Sequence, residues 1–166
     1  MINDAEWEGQ ISELWSALDG CTAAEFIARM EALVAGRPTG DPAALFERGS
    51  AQDSTGHPEQ AVPLYRAALD AGLSGPRRRR ATIQLASSLR SLGHADQAVA
   101  LLSAELEAGS DELDGAVQAF LALALVDVGR EREAVATSLT ALAAYLPRYN
   151  RSLARYARAL TVPPLP

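Results

Sequence analysis

Few residues in this sequence have the type and spacing that catalysis or metal binding requires. The two histidines, His57 and His94, each follow a glycine directly, and neither has a second ligand at zinc-site spacing. The single cysteine, Cys21, has no histidine or basic neighbour in sequence to activate it as a nucleophile. Phosphate-loop, dinucleotide and nucleophile-elbow motifs are all missing. We therefore predict a protein that is not an enzyme and that uses no cofactor and no metal.

Arginine is the residue type with the most unusual arrangement. Four arginines follow Pro76, at the predicted start of a helix, where cations oppose the helix dipole. That cost must be offset either by acids of the first half of the chain, for example Glu47 or Asp70, or by a bound anion. The four residues of this run are Arg77, Arg78, Arg79 and Arg80.

A second set of arginines is spaced 3, 4 and 3 residues apart near the end of the sequence, so that its members share one helix face. A solvated outer face is one interpretation. The other is contact with the acidic N-terminal helices, which carry Asp4, Glu6, Glu8 and Glu13, in the same chain or in a second copy. The members of this set are Arg148, Arg151, Arg155 and Arg158.

The overall charge limits the partners that we expect. The net charge is −6, and all 15 basic residues are arginine. Residues 1–76 hold 12 acidic residues and four arginines, whereas residues 77–166 hold nine acidic residues and 11 arginines. An acidic total argues against general binding to nucleic acid. Without a signal-peptide pattern or a long apolar run, we predict a cytoplasmic protein that does not span a membrane.

The elements that carry these residues repeat along the chain. Gly56, Gly93 and Gly129 follow one another at intervals of 37 and 36 residues. A small residue stands seven positions before each glycine and an alanine five positions after it, which lets two helices approach closely. Each unit is therefore predicted to be a helix, a tight turn and a second helix. The matched small residues are Gly49, Ala86 and Ala122 before the turn, and Ala61, Ala98 and Ala134 after it.

Prolines and glycines mark the predicted helix boundaries. Asp41 and Pro42 form an N-cap and a first-turn proline, and either Ser110 or Asp111 is expected to cap the first helix of the third unit. Pro63 lies inside a predicted helix and favours a kink there. Two helices precede the repeats, the second opened by a capping box of Thr22 and Glu25.

The repeat resembles the tetratricopeptide repeat family. Residues 42–75 carry a small residue, a turn glycine and an alanine at the positions that this family's 34-residue pattern prescribes, namely Gly49, Gly56 and Ala61. The chain is most similar to the small bacterial group-five branch. The resemblance implies an all-α fold: a right-handed α-α superhelix of about three repeats, residues 42–78, 79–114 and 115–146. Residues 1–40 would then form an N-terminal helical pair, residues 41–146 the repeats, and residues 147–166 a capping helix with a proline-rich tail.

The resemblance also implies where a partner binds, because first-helix positions line the concave groove in this family. The groove would combine an apolar floor with two guanidinium groups, suited to a peptide that carries a carboxylate. The predicted function is thus a scaffold that binds a partner peptide or protein; the alternative is a self-associating, homodimeric structural or regulatory protein. Nucleic-acid binding is not expected. The predicted groove residues are Phe46, Ser50, Asp53, Arg80, Ile83, Ser87, Arg90, Leu123 and Asp127, with Ala116, Ala119 and Val126 at further groove positions of the third repeat.

Overall fold

The computed structural model describes residues 3–161, so the predicted proline-rich tail lies outside the described residues. Within that range the chain is entirely helical apart from its turns, with no strand, and the all-α prediction is confirmed. A short 3-10 turn, Leu18–Gly20, joins the first two helices. The helices are α1 (Asp4–Ser16), α2 (Ala23–Val34), α3 (Pro42–Ser54), α4 (Pro58–Asp70), α5 (Gly75–Ser91), α6 (Ala95–Ala108), α7 (Asp114–Asp127), α8 (Glu131–Tyr145) and α9 (Asn150–Thr161).

The chain divides into two compact units, Met1–Ser88 and Leu89–Pro166. The N-terminal unit contains α1 to α4 and most of α5, and the C-terminal unit contains the end of α5 and α6 to α9. Helices that are consecutive in sequence pack on each other in both units, as α1 to α4 and α6 to α9 do. The predicted division at residues 40 and 146 stays a prediction.

The first helices of the N-terminal unit are fixed by their caps and by one apolar cluster. Thr22 accepts a hydrogen bond from the Glu25 backbone, and the Glu25 carboxylate accepts one from the Thr22 backbone, which confirms the predicted capping box. The Asp41 carboxylate caps α3 by accepting from the Ala44 backbone N–H at 2.9 Å. The apolar sides of α1, α2 and α3 meet in a buried cluster of Trp7, Ile11, Leu14, Phe26, Met30, Val34, Ala44 and Ala51.

The three repeated glycines end the first helix of each repeat. Gly56, Gly93 and Gly129 have φ values of 86°, 84° and 73°, the left-handed region that favours glycine. At each one, the glycine N–H donates to the carbonyl three residues back, and the next N–H donates to the carbonyl five residues before itself. This is the Schellman arrangement. His57 and His94 are those next residues, so their backbones close the turns.

Small residues bring the two helices of a repeat together, as the sequence predicted. A Cβ atom added to Gly49 in α3 would lie 2.9 Å from the Tyr65 ring of α4, closer than real Cβ atoms come. The alanine that follows each turn, Ala61, Ala98 or Ala134, is buried. A larger side chain at these positions would have to push neighbouring atoms apart.

One predicted cap is wrong, and the kink at Pro63 stays a prediction. Neither Ser110 nor Asp111 caps α7, because Asp111 accepts from the Leu113 backbone N–H at 2.7 Å in a turn of its own and α7 begins only at Asp114. Pro63 does lie inside α4, and the helix continues past it to Asp70.

Candidate partner-binding surface

Arg77, the first residue of the arginine run at the start of α5, is held by two acids of the N-terminal unit. Arg77 makes a bidentate ion pair with Glu8 of α1, at 2.7 and 2.6 Å, and its Nε donates to Glu47 of α3 at 2.7 Å. The hydrogen bonds with Glu8, and then those with Glu47, raise the pKa of Arg77 above its ordinary value even though burial opposes this. Internal acids, including the predicted Glu47, therefore offset the unfavourable helix position of this cation.

Glu47 is the centre of this network. Its side chain is buried, with 2% of the residue exposed, and its second oxygen accepts from the Trp15 indole N–H at 2.7 Å. Two guanidinium groups, those of Arg37 and Arg77, lie 4.8 and 5.6 Å from the ring centroid of Trp7, within the range of cation–π attraction. The network ties α1, α3 and α5 together. Its role in this unit is structural.

Of the other arginines in the run, only Arg80 resembles the predicted groove cation. Arg78 and Arg79 both have interaction partners within the molecule, and Arg79 is buried. Arg80 is exposed, and its guanidinium lies 5.2 Å from the ring centroid of Phe46. Among the described residues it makes no ion pair, which leaves its charge available to an anion.

Several predicted groove residues of the N-terminal unit point into the unit instead. Phe46, Ser50 and Ile83 are buried, and Ser50 donates to the Gln84 side-chain oxygen at 3.2 Å. Their burial keeps them from touching a partner in this conformation, because they fill the contacts between α3, α4 and α5. Ser87 is half-buried and already has an interaction partner.

Asp53 lies beside this buried set and is held by hydroxyl groups. Ser88 donates to its carboxylate at 2.9 Å, and the Tyr65 hydroxyl makes a longer contact of 3.4 Å. Burial raises the pKa of Asp53 above its usual value, although both hydrogen bonds partly oppose the rise. Burial and the nearby Asp53 charge likewise raise the pKa of Tyr65.

The C-terminal unit presents the remaining groove positions on the outer side of α7. Leu123 and Val126 are 47% and 50% exposed, and Ala119 is exposed one turn earlier on the same side. At the end of this stripe Asp127 contacts Arg90 of α5, with 2.7 Å between Oδ2 and Nε. The N–H bond is not directed along that contact, so it is a charge pair more than a hydrogen bond. We call Ala119, Leu123, Val126 and Asp127 the α7 face.

Three members of the second arginine set, Arg151, Arg155 and Arg158, lie on the solvent side of α9. The prediction that Arg148 shares their helix face is wrong, because α9 begins only at Asn150 and Tyr149 before it has a positive φ of 65°. Arg148, Arg151, Arg155 and Arg158 are all exposed, and Arg155 stacks on the Tyr156 ring at 5.0 Å. Two of the acids that were considered as partners for this set are already paired within the N-terminal unit, Asp4 with Arg37 and Glu8 with Arg77. Contact between this set and the N-terminal acids stays a prediction. Of the four acids considered, Glu6 and Glu13 remain without such a pair among the described residues.

Comparison with known families settles what this arrangement of helices is. The model of the group-five tetratricopeptide repeat, described as "Tetratrico peptide repeat", matches residues 42–160. The chain belongs to the tetratricopeptide repeat family. The match begins at the first residue of α3 and continues through most of α9, so α1 and α2 lie outside the matched tetratricopeptide region. No curated protein and no solved structure gives a significant match.

Two features of this tetratricopeptide protein were not predicted from its sequence. The Trp15–Glu47 hydrogen bond joins residues that lie 32 positions apart in the sequence, so no local sequence pattern predicts it. The exposed tyrosines Tyr145, Tyr149 and Tyr156 could have been noticed, because all three fall in the acid-free stretch that also carries the α9 arginines. Within residues 3–161 no group of acidic, histidine or cysteine side chains could hold a metal, and no helix is long and apolar enough to cross a bilayer.

Proposed function

We propose that this tetratricopeptide protein is a binding module whose α7 face docks a segment of a partner protein. The family membership supports a protein-interaction role in general. The observation that carries the location is the apolar stripe of Leu123 and Val126, half of whose surface meets water in the unbound chain. These are first-helix positions, the ones that line the groove in tetratricopeptide proteins.

The energetics favour an apolar anchor from the partner at this face. Complete burial of a leucine or valine side chain is worth about 1.5–3 kcal/mol, so covering the exposed halves of Leu123 and Val126 would contribute about half of that each. The Asp127–Arg90 pair at the end of the stripe supplies a polar rim, the usual border of an interface. A segment with two apolar side chains one helical turn apart suits this surface.

The N-terminal unit, taken by itself, offers one anion contact, the exposed guanidinium of Arg80. This guanidinium could pair with a carboxylate of a partner protein, and its contact with the Phe46 ring limits the orientations that it samples. Arg90, the second cation predicted for the groove, is already paired with Asp127, so we assign the carboxylate contact to Arg80 alone.

A matched pair of double variants tests the α7 face. Leu123→Glu with Val126→Glu places two charges on it, and Leu142→Glu with Val135→Glu makes the same changes on α8, where the exposures are 48% and 48%. Proteins recovered from the native host with each tagged variant are compared by quantitative mass spectrometry. The proposal expects a specific partner to disappear with the first variant and to persist with the second.

Two outcomes would contradict this assignment. A partner that survives the α7 variant, or that is lost equally with the α8 variant, would show that α7 is not the binding face. Arg80→Glu is tested separately: it should reduce the recovery of a partner that carries a carboxylate without altering helicity, and an unchanged yield would remove Arg80 from the proposal. Homodimerisation through the terminal helices is the alternative, and removal of residues 147–166 would then change the mass in solution measured by light scattering.

A further inference from the structure

The outer side of α9 forms a second charged surface, on a different helix from the proposed α7 face. Leu153, Ala154, Ala157 and Leu160 are buried or half-buried on the side of α9 that packs on α8. The opposite side carries Arg151, Arg155 and Arg158, and Arg148 precedes the helix by two residues. We call these four arginines the cationic face.

The cationic face is not neutralised by its own chain. Among residues 3–161 none of its arginines makes an ion pair, whereas Arg37, Arg48, Arg77, Arg90 and Arg130 all do. The sequence contains no acidic residue after Glu133, so residues 134–166 carry four arginines and no carboxylate side chain. Like charges three and four residues apart on a helix repel one another. An anionic occupant would remove that repulsion.

Tyrosines border the cationic face and limit the motion of one arginine. Tyr149 and Tyr156 are exposed. Arg155 lies over the Tyr156 ring, and its Nη2 donates to the Tyr156 hydroxyl at 3.2 Å, which restrains the guanidinium before any partner binds. Tyrosine and arginine are the residue types enriched at the centres of protein interfaces. The surface therefore has the composition of a binding site as well as its charge.

We propose that the cationic face binds an acidic helical segment of another protein. Arg151, Arg155 and Arg158 follow one another at about 6 and 4.5 Å along the helix axis. Carboxylates spaced i, i+4 and i+7 on a second helix have the same separations, and guanidinium groups bind carboxylates in a bidentate manner. This inference adds a second interaction surface and does not depend on the α7 face.

The size and surroundings of the face favour a short acidic segment over the other anionic occupants. The helical part of the face, from Arg151 to Arg158, is about 10 Å long. A nucleic-acid strand that extended past it would meet a chain whose net charge is −6. A second copy of this chain is disfavoured because Asp4 and Glu8 of its acidic N-terminal helices are already paired.

The test measures binding of a defined peptide to the full chain. The probe is a fluorescein-labelled, end-capped, alanine-rich helical peptide with glutamates at i, i+4 and i+7. Its binding is measured by fluorescence polarisation at low ionic strength. The control peptide has the same composition, with its glutamates distributed around the helix. We expect the aligned peptide to bind more tightly, and its affinity to fall with added salt because the ion pairs are exposed.

Two double variants of equal charge change locate the binding. Arg151→Gln with Arg155→Gln should weaken the aligned peptide about tenfold, as expected for two surface ion pairs. Arg29→Gln with Arg48→Gln, on α2 and α3, should leave the affinity unchanged. Circular dichroism of each variant checks that the helices remain folded.

Three results would overturn the proposal. Equal affinity for the two peptides would mean that the charge pattern is not recognised. Equal loss in both double variants would mean that net charge, and not the cationic face, attracts the peptide. Tighter binding of a single-stranded oligonucleotide than of the aligned peptide would assign the face to nucleic acid instead.

Discussion

Glu47→Ala is the perturbation that tests the N-terminal unit most severely. The Glu47 carboxylate is buried and accepts two hydrogen bonds, from the Trp15 indole and from Arg77 Nε, each at 2.7 Å. Alanine removes both acceptors at once. The Trp15 N–H is left without its partner, and the Arg77 guanidinium loses the acid that lies deepest in the unit.

The expected cost follows from the surroundings of the two donors. Removing one partner of a buried ion pair typically costs about 3–5 kcal/mol, because the other charge is left buried. Arg77 keeps its bidentate pair with Glu8, and its side chain is 22% exposed. We therefore expect the free energy of unfolding to fall by about 3 kcal/mol, the lower end of that range. Glu47→Gln should cost about 1–2 kcal/mol, because it keeps one acceptor but leaves one donor unsatisfied.

The protein contains its own probe for this measurement. Both tryptophans, Trp7 and Trp15, lie in α1, so tryptophan emission during urea denaturation reports on the N-terminal unit. Glu31→Ala is the control, because Glu31 pairs with Arg48 at 2.9 Å but their side chains are 42% and 37% exposed. An exposed pair of this kind contributes about 0–1 kcal/mol. If Glu47→Ala costs no more than Glu31→Ala, the network is not what holds α1 and α5 to α3.

Three further predictions concern the backbone and one carboxylate. Gly93→Ala should lower the free energy of unfolding by about 1–2 kcal/mol, because φ is 84° and no atom lies within 4 Å of the new methyl group, so the cost is backbone strain alone. Gly9→Ala, in the middle of α1 where the new methyl group meets no atom, should raise the free energy of unfolding by about 0.5–1 kcal/mol. Both free energies are measured by urea denaturation followed by circular dichroism. If the two substitutions change stability equally, the assignment of Gly93 as a left-handed cap is wrong. Folding raises the pKa of Asp53 above 3.8, its ordinary value, so ionised Asp53 lowers the free energy of unfolding. This loss of stability is complete above the folded-state pKa and disappears as the pH falls towards 3.8, because Asp53 then becomes protonated in both states. The stability of Asp53→Asn relative to wild type should therefore be greatest near neutral pH and decline towards about pH 4; a pH-independent difference between the two urea midpoints would refute this.

The repeat architecture could be predicted because it depends on residue types at nearby positions in the sequence. A left-handed turn strongly favours glycine, and three glycines at intervals of 37 and 36 residues predicted three turns that the structure contains. Gly49 was predicted as a place of close approach, and the Tyr65 ring does lie against it. The same local logic predicted the Thr22–Glu25 capping box, whose two hydrogen bonds span only three residues.

What could not be predicted depends on which side of a helix meets its neighbours. Groove positions carried over by resemblance included Phe46 and Ser50, but both are buried between helices, because Phe46 packs beside Tyr65 with 6.2 Å between ring centroids. The expected cap at Asp111 was wrong because an aspartate can serve its own turn equally well. The pairing of Arg77 with Glu47 was predicted as one of two possibilities, and only the folded chain shows that the acid is internal.

Site-specific photo-crosslinking tests the central claim, that the α7 face binds a partner protein, most directly. A benzophenone amino acid is placed at Leu123, or at Leu142 of α8 as the control of equal exposure, and the native host is irradiated. The account predicts a discrete adduct with another protein at Leu123 that is missing at Leu142 and that Val126→Glu suppresses. The absence of an adduct at Leu123, or the same adduct at both positions, would contradict it.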